Sequence, residues 1–581
     1  MQSHPLLPAE LQARYRAEGL WSDDTFFSLL ETSAAAAADR PLYLEPEVRT
    51  YGEATAAARA LAQHLVASGV KPGDGVVTPL VNGLPAAVVS AAVAGAGGRL
   101  APLPSRAHPA QAISLAATLE APVLIVSGEV LARGEWDAGV LDRIRRESPS
   151  VRLILLADAG AAPDWARERL PTLESAVAAN AAAELPPVDA GAIALLLSTG
   201  GTTGPAKVVM HTYAGPVFAA REYARIARLT AEDRVVQVGP FGHASGTIFT
   251  LYPPVMAGAA VVPLVGWDPV AFASAVESAE ATWTHLSGTH VHDLLALDPV
   301  HDAKLRSLRG ISAGSGSDQL FREAERRFGF QIQRIYGLTE CLGNSLVPAG
   351  APDDRRLHCD GRGFDGIEYR VVSPGTDDPL PPGTPGEMFV RGPSLFAGYL
   401  GRPEATAEVV RDDGFLATGD LTCSPTPRST TSPSSAYRTV GSASGPRRSS
   451  SRRAGRSRSS PTSPASSPSA RCRSDRGRSC STSSTRCPSP STESTTRTPF
   501  GGWSPSSSRG EAESPRRGRR PPSPRHLLGP AAAGRAHRSG RRGGGAWGEP
   551  GADPGGADRA RPGGPCRHRA PPRRLRLVLR A

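Results

Sequence analysis

The stretch Leu195-Leu-Leu-Ser-Thr-Gly-Gly-Thr-Thr-Gly-Pro-Ala-Lys207 decides how this chain is read. An apolar run enters a turn of Ser, Thr and Gly that ends on Lys207. Glycines let backbone N–H groups approach an anion, hydroxyls add donors, and lysine supplies a point charge. The turn therefore reads as a phosphate cradle at the end of a β-strand. It does not fit the G-x-x-x-x-G-K-[ST] pattern of Walker-type loops. An ordinary glycine-rich turn is the plain alternative, and the neighbouring motifs must decide between the two.

On either side of this stretch, short apolar runs alternate with amphipathic segments. Pro122–Val126, Val151–Leu156, Ala192–Leu197, Val235–Val238 and Ala260–Leu264 read as strands. Tyr51–Val70 and Pro269–Ser278 read as helices, and the Ala-rich run from Pro85 to Gly97 as a buried helix. The alternation predicts an α/β fold of mostly parallel sheets with helices over residues 1–367. From Glu368 the texture turns to short β-like runs between Pro/Gly turns, Tyr369–Ser373 and Glu387–Val390 among them. Residues 368–423 are thus expected to form a small β subdomain of the same N-terminal domain.

The net charge of +11 over 581 residues joins two unlike parts. Residues 1–423 hold 34 Lys+Arg against 48 Asp+Glu, a balance of −14. Residues 424–581 hold 32 Arg, no Lys and 7 acids, a balance of +25. That tail lacks Ile, Met, Asn and Gln as well and shows no sustained apolar periodicity. Such a composition predicts disorder. No apolar run approaches the roughly 18 residues of a spanning helix. Glu10, Arg14, Arg16 and Glu18 interrupt any apolar signal core, which points to the cytoplasm. The seven cysteines form no C-x-x-C pair, so neither a zinc site nor a disulfide framework is expected.

Two further motifs follow the cradle, Ile335-Tyr-Gly-Leu-Thr-Glu-Cys341 and Asp412-Asp-Gly-Phe-Leu-Ala-Thr-Gly-Asp-Leu421. Each alone is weak, because a buried Tyr or a turn Asp is usually structural. In this order and spacing the three resemble the adenylate-forming superfamily, over roughly Phe26 to Leu421. That superfamily comprises acyl- and aryl-CoA synthetases, aryl-acid adenylating enzymes, luciferases and peptide-synthetase adenylation domains. Gly383–Tyr399 fits its turn-and-strand segment between the last two motifs, and Gly314-Ser315-Gly316 its adenine-side segment. One departure is Pro205-Ala206-Lys207, where the family usually places Pro directly before Lys.

The resemblance implies roles. Ser198, Thr199, Gly200, Gly201, Thr202, Thr203, Gly204 and Lys207 would hold the β- and γ-phosphates of ATP. Thr339 would touch the α-phosphate, Glu340 would bind Mg²⁺, and Tyr336 would stack near adenine beside Gly314, Ser315 and Gly316. Asp420 would accept from the ribose hydroxyls. His243, in Phe241-Gly-His-Ala-Ser-Gly246, would stand beside the substrate carboxylate. Taken singly, Glu340 also reads as a surface acid, Asp420 as a turn residue and His243 as a satisfied core histidine. Ala244–Pro254 and Leu286-Ser-Gly-Thr-His290 would line an apolar acyl or aryl acid pocket. They contain no acid to pair with an amino-acid ammonium. The implied chemistry is activation of a carboxylic acid to an acyl-adenylate, then transfer to CoA or to the phosphopantetheine of a carrier protein. Tyr15-Arg-Ala-Glu-Gly-Leu-Trp21 resembles the N-terminal segment of both aryl-acid adenylating enzymes and CoA ligases, whereas Gly-His-Ala-Ser-Gly leans towards CoA ligases.

Family members continue through a G-R-x-K-[DE] hinge into a C-terminal domain that brings a catalytic lysine onto the α-phosphate. The tail has no lysine, so activity is expected to be impaired. Reading Ser444–Gly455 in a shifted frame with allowed codons permits Arg-Ala-Lys-Glu-Val-Ile-Val-Lys-Ala-Gly, which resembles that hinge. A frame shift near Cys423 would explain the abrupt change of composition. The alternatives are an RNA-binding or phosphorylated Arg/Ser-rich tail and a non-catalytic adenylate-binding paralogue. The tail has no RNA-binding motif, so no specific nucleic-acid partner is expected.

Overall fold

The computed structural model describes residues 4–179, 181–199, 207–423 and 438–442. The expectations placed on Gly200–Gly204 and on most of the tail fall outside them.

Two mixed, mostly parallel sheets carry the domain. The six-stranded sheet runs in the order Leu153–Leu156, Val123–Val126, Gly75–Pro79, Arg99–Leu103, Ile193–Ser198 and Val208–Thr212. Its first five strands are parallel and the last is antiparallel. The nine-stranded sheet places Trp283–Ser287 between Gly310–Gly314 and Arg234–Gln237, with Gln331–Leu338 beyond Gly310–Gly314, all parallel. Leu342–Leu346 turns back antiparallel against Gln331–Leu338. A third, antiparallel sheet orders Glu368–Val372, Pro385–Arg391, Leu416–Cys423 and Arg438–Ser442. The expected α/β class holds.

A parallel strand covered on both faces reads as a continuous apolar run. Val123–Val126 is buried at every position. The Ala-rich run forms the helix Leu84–Gly95, buried from Ala86 to Gly95. Small side chains bring it close to its neighbours: a Cβ added at Gly95 would lie 3.1 Å from the Phe27 ring. Local caps define the helix starts. Thr50 and Glu53 close a reciprocal capping box on Tyr51–Ala67, satisfying amide donors that the first turn cannot pair internally.

Candidate active site

The parallel strands of the nine-stranded sheet deliver their carboxyl ends to one cleft, where α/β sheets usually bind ligands. Ser287 and Gly314 are register partners at those ends. The cleft has a volume of about 740 Å³ and is lined by Gly314, Ser315, Gly316, Tyr336, Thr339 and Asp420. His243, Phe249, His285 and His290 also line it. Residues far apart in the chain thus meet at one wall, as the motif reading required. Gly316 is needed there, because a Cβ would sit 2.2 Å from the Phe321 ring.

The Thr339–Cys341 turn joins two antiparallel strands through a register shift at Tyr336/Gly337. Gly337 permits it, since a Cβ would meet the Leu342 carbonyl at 2.1 Å. His211 and Phe396 pin the turn. His211 Nε2–H donates to the Thr339 carbonyl at 2.7 Å, and the Phe396 amide donates to the Glu340 carbonyl at 2.8 Å. His211 is fully buried, and burial lowers its pKa to about 4, so the ring is neutral. It lies on the strand that leaves the cradle, so the first motif is fastened to the second.

Tyr336 donates its hydroxyl to Asp420 Oδ2 at 2.8 Å. Burial holds the Asp420 pKa above the usual carboxylate range, against the Tyr336 bond that lowers it; Asp360, Glu340 and Glu387 add repulsion. Burial also pushes the Tyr336 phenol well above its ordinary value. Asp420 Oδ2 therefore accepts from a phenol that stays protonated, beside a cleft able to take hydroxyl donors.

The cradle's two ends are closed by backbone pairing. Ser198 pairs with Val208, and the Thr199 amide donates to the Lys207 carbonyl at 2.9 Å. Lys207 Nζ lies 4.5 Å from the centroid of the Tyr399 ring. Tyr399 in turn donates its hydroxyl to Glu340 Oε1 at 2.7 Å. One aromatic side chain thus touches both the cradle lysine and the carboxylate expected at the metal. The sequence reading passed over Tyr399 except as part of a turn-and-strand segment. Among the described residues no group of three or more His, Cys, Asp and Glu could hold a metal alone. Glu340 nevertheless suits a Mg²⁺ that takes its other oxygens from phosphates and water, because Tyr399 occupies only one of its two oxygens.

The wall expected to take the acid combines apolar and polar side chains. Ala244, Phe249 and Leu286 are present, but three histidines stand among them. His243 is open to the cleft, and the crowding protein still displaces enough water to lower its pKa. Burial, with His243 and His290 nearby, lowers His285 to about 3. His290 belongs to the expected Leu286–His290 lining, whereas His285 lies just outside it, because nothing local marks a histidine as facing a cleft.

Parallel strand ends that open on a cleft walled by Gly314–Gly316 and the Tyr336–Asp420 pair are what a nucleotide-binding α/β enzyme presents. The AMP-binding enzyme family model matches residues 30–400, and the chain belongs to that family. It is 28% identical over 415 residues to the medium-chain fatty-acid–CoA ligase of Escherichia coli K12, covering 71% of this chain and 72% of the relative. It is 30% identical over 439 residues to the salicyl-AMP ligase/salicyl-S-ArCP synthetase of Mycobacterium tuberculosis H37Rv, covering 71% and 73%. Its fold is similar to apo MbtA of Mycobacterium smegmatis, with TM-score 0.64 and 25% identity over 75% of this chain and 79% of that one.

Proposed function

We propose that the cleft binds MgATP and an apolar acyl or aryl acid, joins them as an acyl-adenylate, and normally passes the acyl group to CoA or a carrier-protein thiol. The observation that carries this is the single cleft with Tyr336, Thr339, Asp420 and Gly314–Gly316 on its wall together with Phe249 and the histidines. In the first step an oxygen of the substrate carboxylate attacks the α-phosphorus. The bond from that phosphorus to the bridging oxygen breaks, and pyrophosphate leaves. Such transfers depend on positioning and charge stabilisation. Lys207, the cradle hydroxyls of Ser198 and Thr199 and the cradle segment Gly200–Gly204 would hold the β- and γ-phosphates. Thr339 would meet the α-phosphate, Glu340 the Mg²⁺, and Asp420 the ribose hydroxyls, with Tyr336 and Gly314–Gly316 against adenine. His243 would stand beside the substrate carboxylate.

The chain as written would bind ATP but activate acid weakly and transfer it little, because residues 424–581 contain no lysine to reach the α-phosphate. A cytoplasmic location belongs to the same proposal; among the described residues no helix is long and apolar enough to cross a membrane. Acid-dependent ATP–pyrophosphate exchange over a panel of acyl and aryl acids tests the reading. Exchange with at least one acid supports it. ATP binding without exchange by any acid, even after the downstream frame is restored, would favour a non-catalytic adenylate binder.

A further inference from the structure

The hydrogen bonds around the three cleft histidines decide which ring nitrogen carries each proton. The Ser245 amide donates to His243 Nδ1 at 3.1 Å. The Ser287 amide donates to His290 Nδ1 at 3.2 Å. An amide N–H cannot accept, so both Nδ1 atoms are acceptors.

His285 ends a longer chain. Trp283 Nε1–H donates to the Tyr223 hydroxyl at 3.1 Å. The Tyr223 and Ser312 hydroxyls lie 2.5 Å apart, and Ser312 Oγ lies 2.9 Å from His285 Nδ1. Tyr223 and Ser312 are fully buried. Were His285 Nδ1 the donor, only one of the Tyr223 and Ser312 hydrogens could lie between the two hydroxyls, and the other would have no acceptor among the described residues. Buried donors are rarely left so. In the opposite direction Trp283 donates to Tyr223, Tyr223 to Ser312 and Ser312 to His285, and every group is paired. The His285 ring is neutral, so its proton is on Nε2. That atom has no partner among the described residues, and the ring lines the cleft.

We infer that His285 is a specificity-determining residue: its Nε2–H, aimed by the Trp283–Tyr223–Ser312 chain, donates to an oxygen carried on the body of the acid. His243 and His290, protonated on the same nitrogen, supply flanking donors. The oxygen is a hydroxyl, an oxo group or a second acid group. Phe249, whose ring lies 4.8 Å from that of His285, keeps the rest of the wall apolar. The acids lining the cleft are already engaged, Asp360 by Arg334 and Asp420 by Tyr336. A plain hydrocarbon acid would strip water from Nε2–H and return nothing, whereas an oxygen-bearing one satisfies it. Sites built to bond a substrate group reject analogues that lack it. The inference rests on the acid-activating reading and narrows its substrate class.

The test is titration calorimetry of the full chain with non-hydrolysable acyl sulfamoyl adenosines. One set is benzoyl with its ortho-, meta- and para-hydroxy isomers; the other is hexanoyl with its hydroxy isomers. The best hydroxy compound should bind wild type at least ~10-fold more tightly than its parent. In His285→Phe, which keeps a ring against Phe249, that preference should vanish. Ser312→Ala retains the histidine but frees its ring, and should lose part of the preference; it carries the test if His285→Phe fails to fold, judged by melting temperature and ATP binding. Equal wild-type affinity for parent and hydroxy compounds overturns the inference and leaves acid activation standing. So does an undiminished preference in whichever variants fold. Failure of every acyl sulfamoyl adenosine to bind wild type overturns the acid-activating reading and this inference with it.

Discussion

Removing one hydroxyl, in Tyr399→Phe, tests whether the cradle and the metal carboxylate work as one unit. Tyr399 is buried, with 5% of its surface exposed. Its ring is held edge-on by Phe396 at 5.0 Å, and its amide is anchored by Thr406 Oγ1 at 3.0 Å. Phenylalanine therefore fits without moving the ring, and the Lys207 contact at 4.5 Å persists. What is lost is the hydrogen bond to Glu340 Oε1 at 2.7 Å. A hydrogen bond to a charged group contributes about 1.5–3 kcal/mol. Glu340 is only partly buried and water can replace part of the bond, so the lower end applies, about 1.5 kcal/mol, or roughly tenfold. Groups that orient a metal ligand commonly change metal affinity by about 10–100-fold, which agrees. Titration calorimetry with ATP in the presence of Mg²⁺ should show affinity falling about tenfold, with little change in excess EDTA. Tyr399→Leu should lose affinity under both conditions, because the cation–π contact with Lys207, on the order of 0.5–1 kcal/mol, goes too. Tyr399→Phe binding MgATP as tightly as wild type would refute the positioning argument.

Other outcomes follow from the same geometry. Asp420 must be ionised to accept hydroxyl protons and burial raises its pKa, so ATP affinity should be full at neutral pH and fall as pH drops through that raised value; Asp420→Asn should bind roughly tenfold more weakly and lose this acid limb, as fluorescence titration against pH would show. His4 and His211 are buried neutral with pKa values lowered to about 4. An unfolded histidine binds a proton near 6.5, so their stability contribution is full above that pH and is lost as pH falls towards 4, by roughly 3 kcal/mol each. Denaturant melts between pH 7 and 4 should show this, and His211→Gln should flatten the slope; an unchanged slope would contradict it. Restoring the shifted frame after Cys423 should raise pyrophosphate release and permit thioester formation, measured with the acids that support exchange; no gain would sink the frame-shift reading.

Several strand positions were legible because a strand buried on both faces reads as a short, continuous apolar run. Pro122–Val126 and Ala260–Leu264 were visible for that reason, and the structure has strands at Val123–Val126 and Ala260–Pro263. The second and third motifs pointed to one cleft, and Tyr336, Thr339 and Asp420 do line it. The fastenings between motifs were not visible. His211 and Thr339 are 128 positions apart, and Tyr399 and Glu340 are 59 apart. Neither pair leaves a local pattern, because each exists only when segments distant in sequence pack together. The apolar reading of the acid end missed His285 for the same reason: its neighbour Ser312 is supplied by the adjacent strand.

By itself, then, the order of residue types determined an α/β class, a Ser/Thr/Gly cradle ending in Lys207 and a break in composition near Cys423, while the nucleotide chemistry entered through the resemblance of three motifs to a known family. These depend on local preference and spacing, which travel with the chain. Tertiary structure alone decided that Tyr399 joins Lys207 to Glu340, that His211 clamps Thr339, and that His285 presents Nε2–H to the cleft. Those are matters of partner and desolvation. A side chain's charge, proton and direction are set by what surrounds it, and the surroundings arise only when distant strands pack side by side.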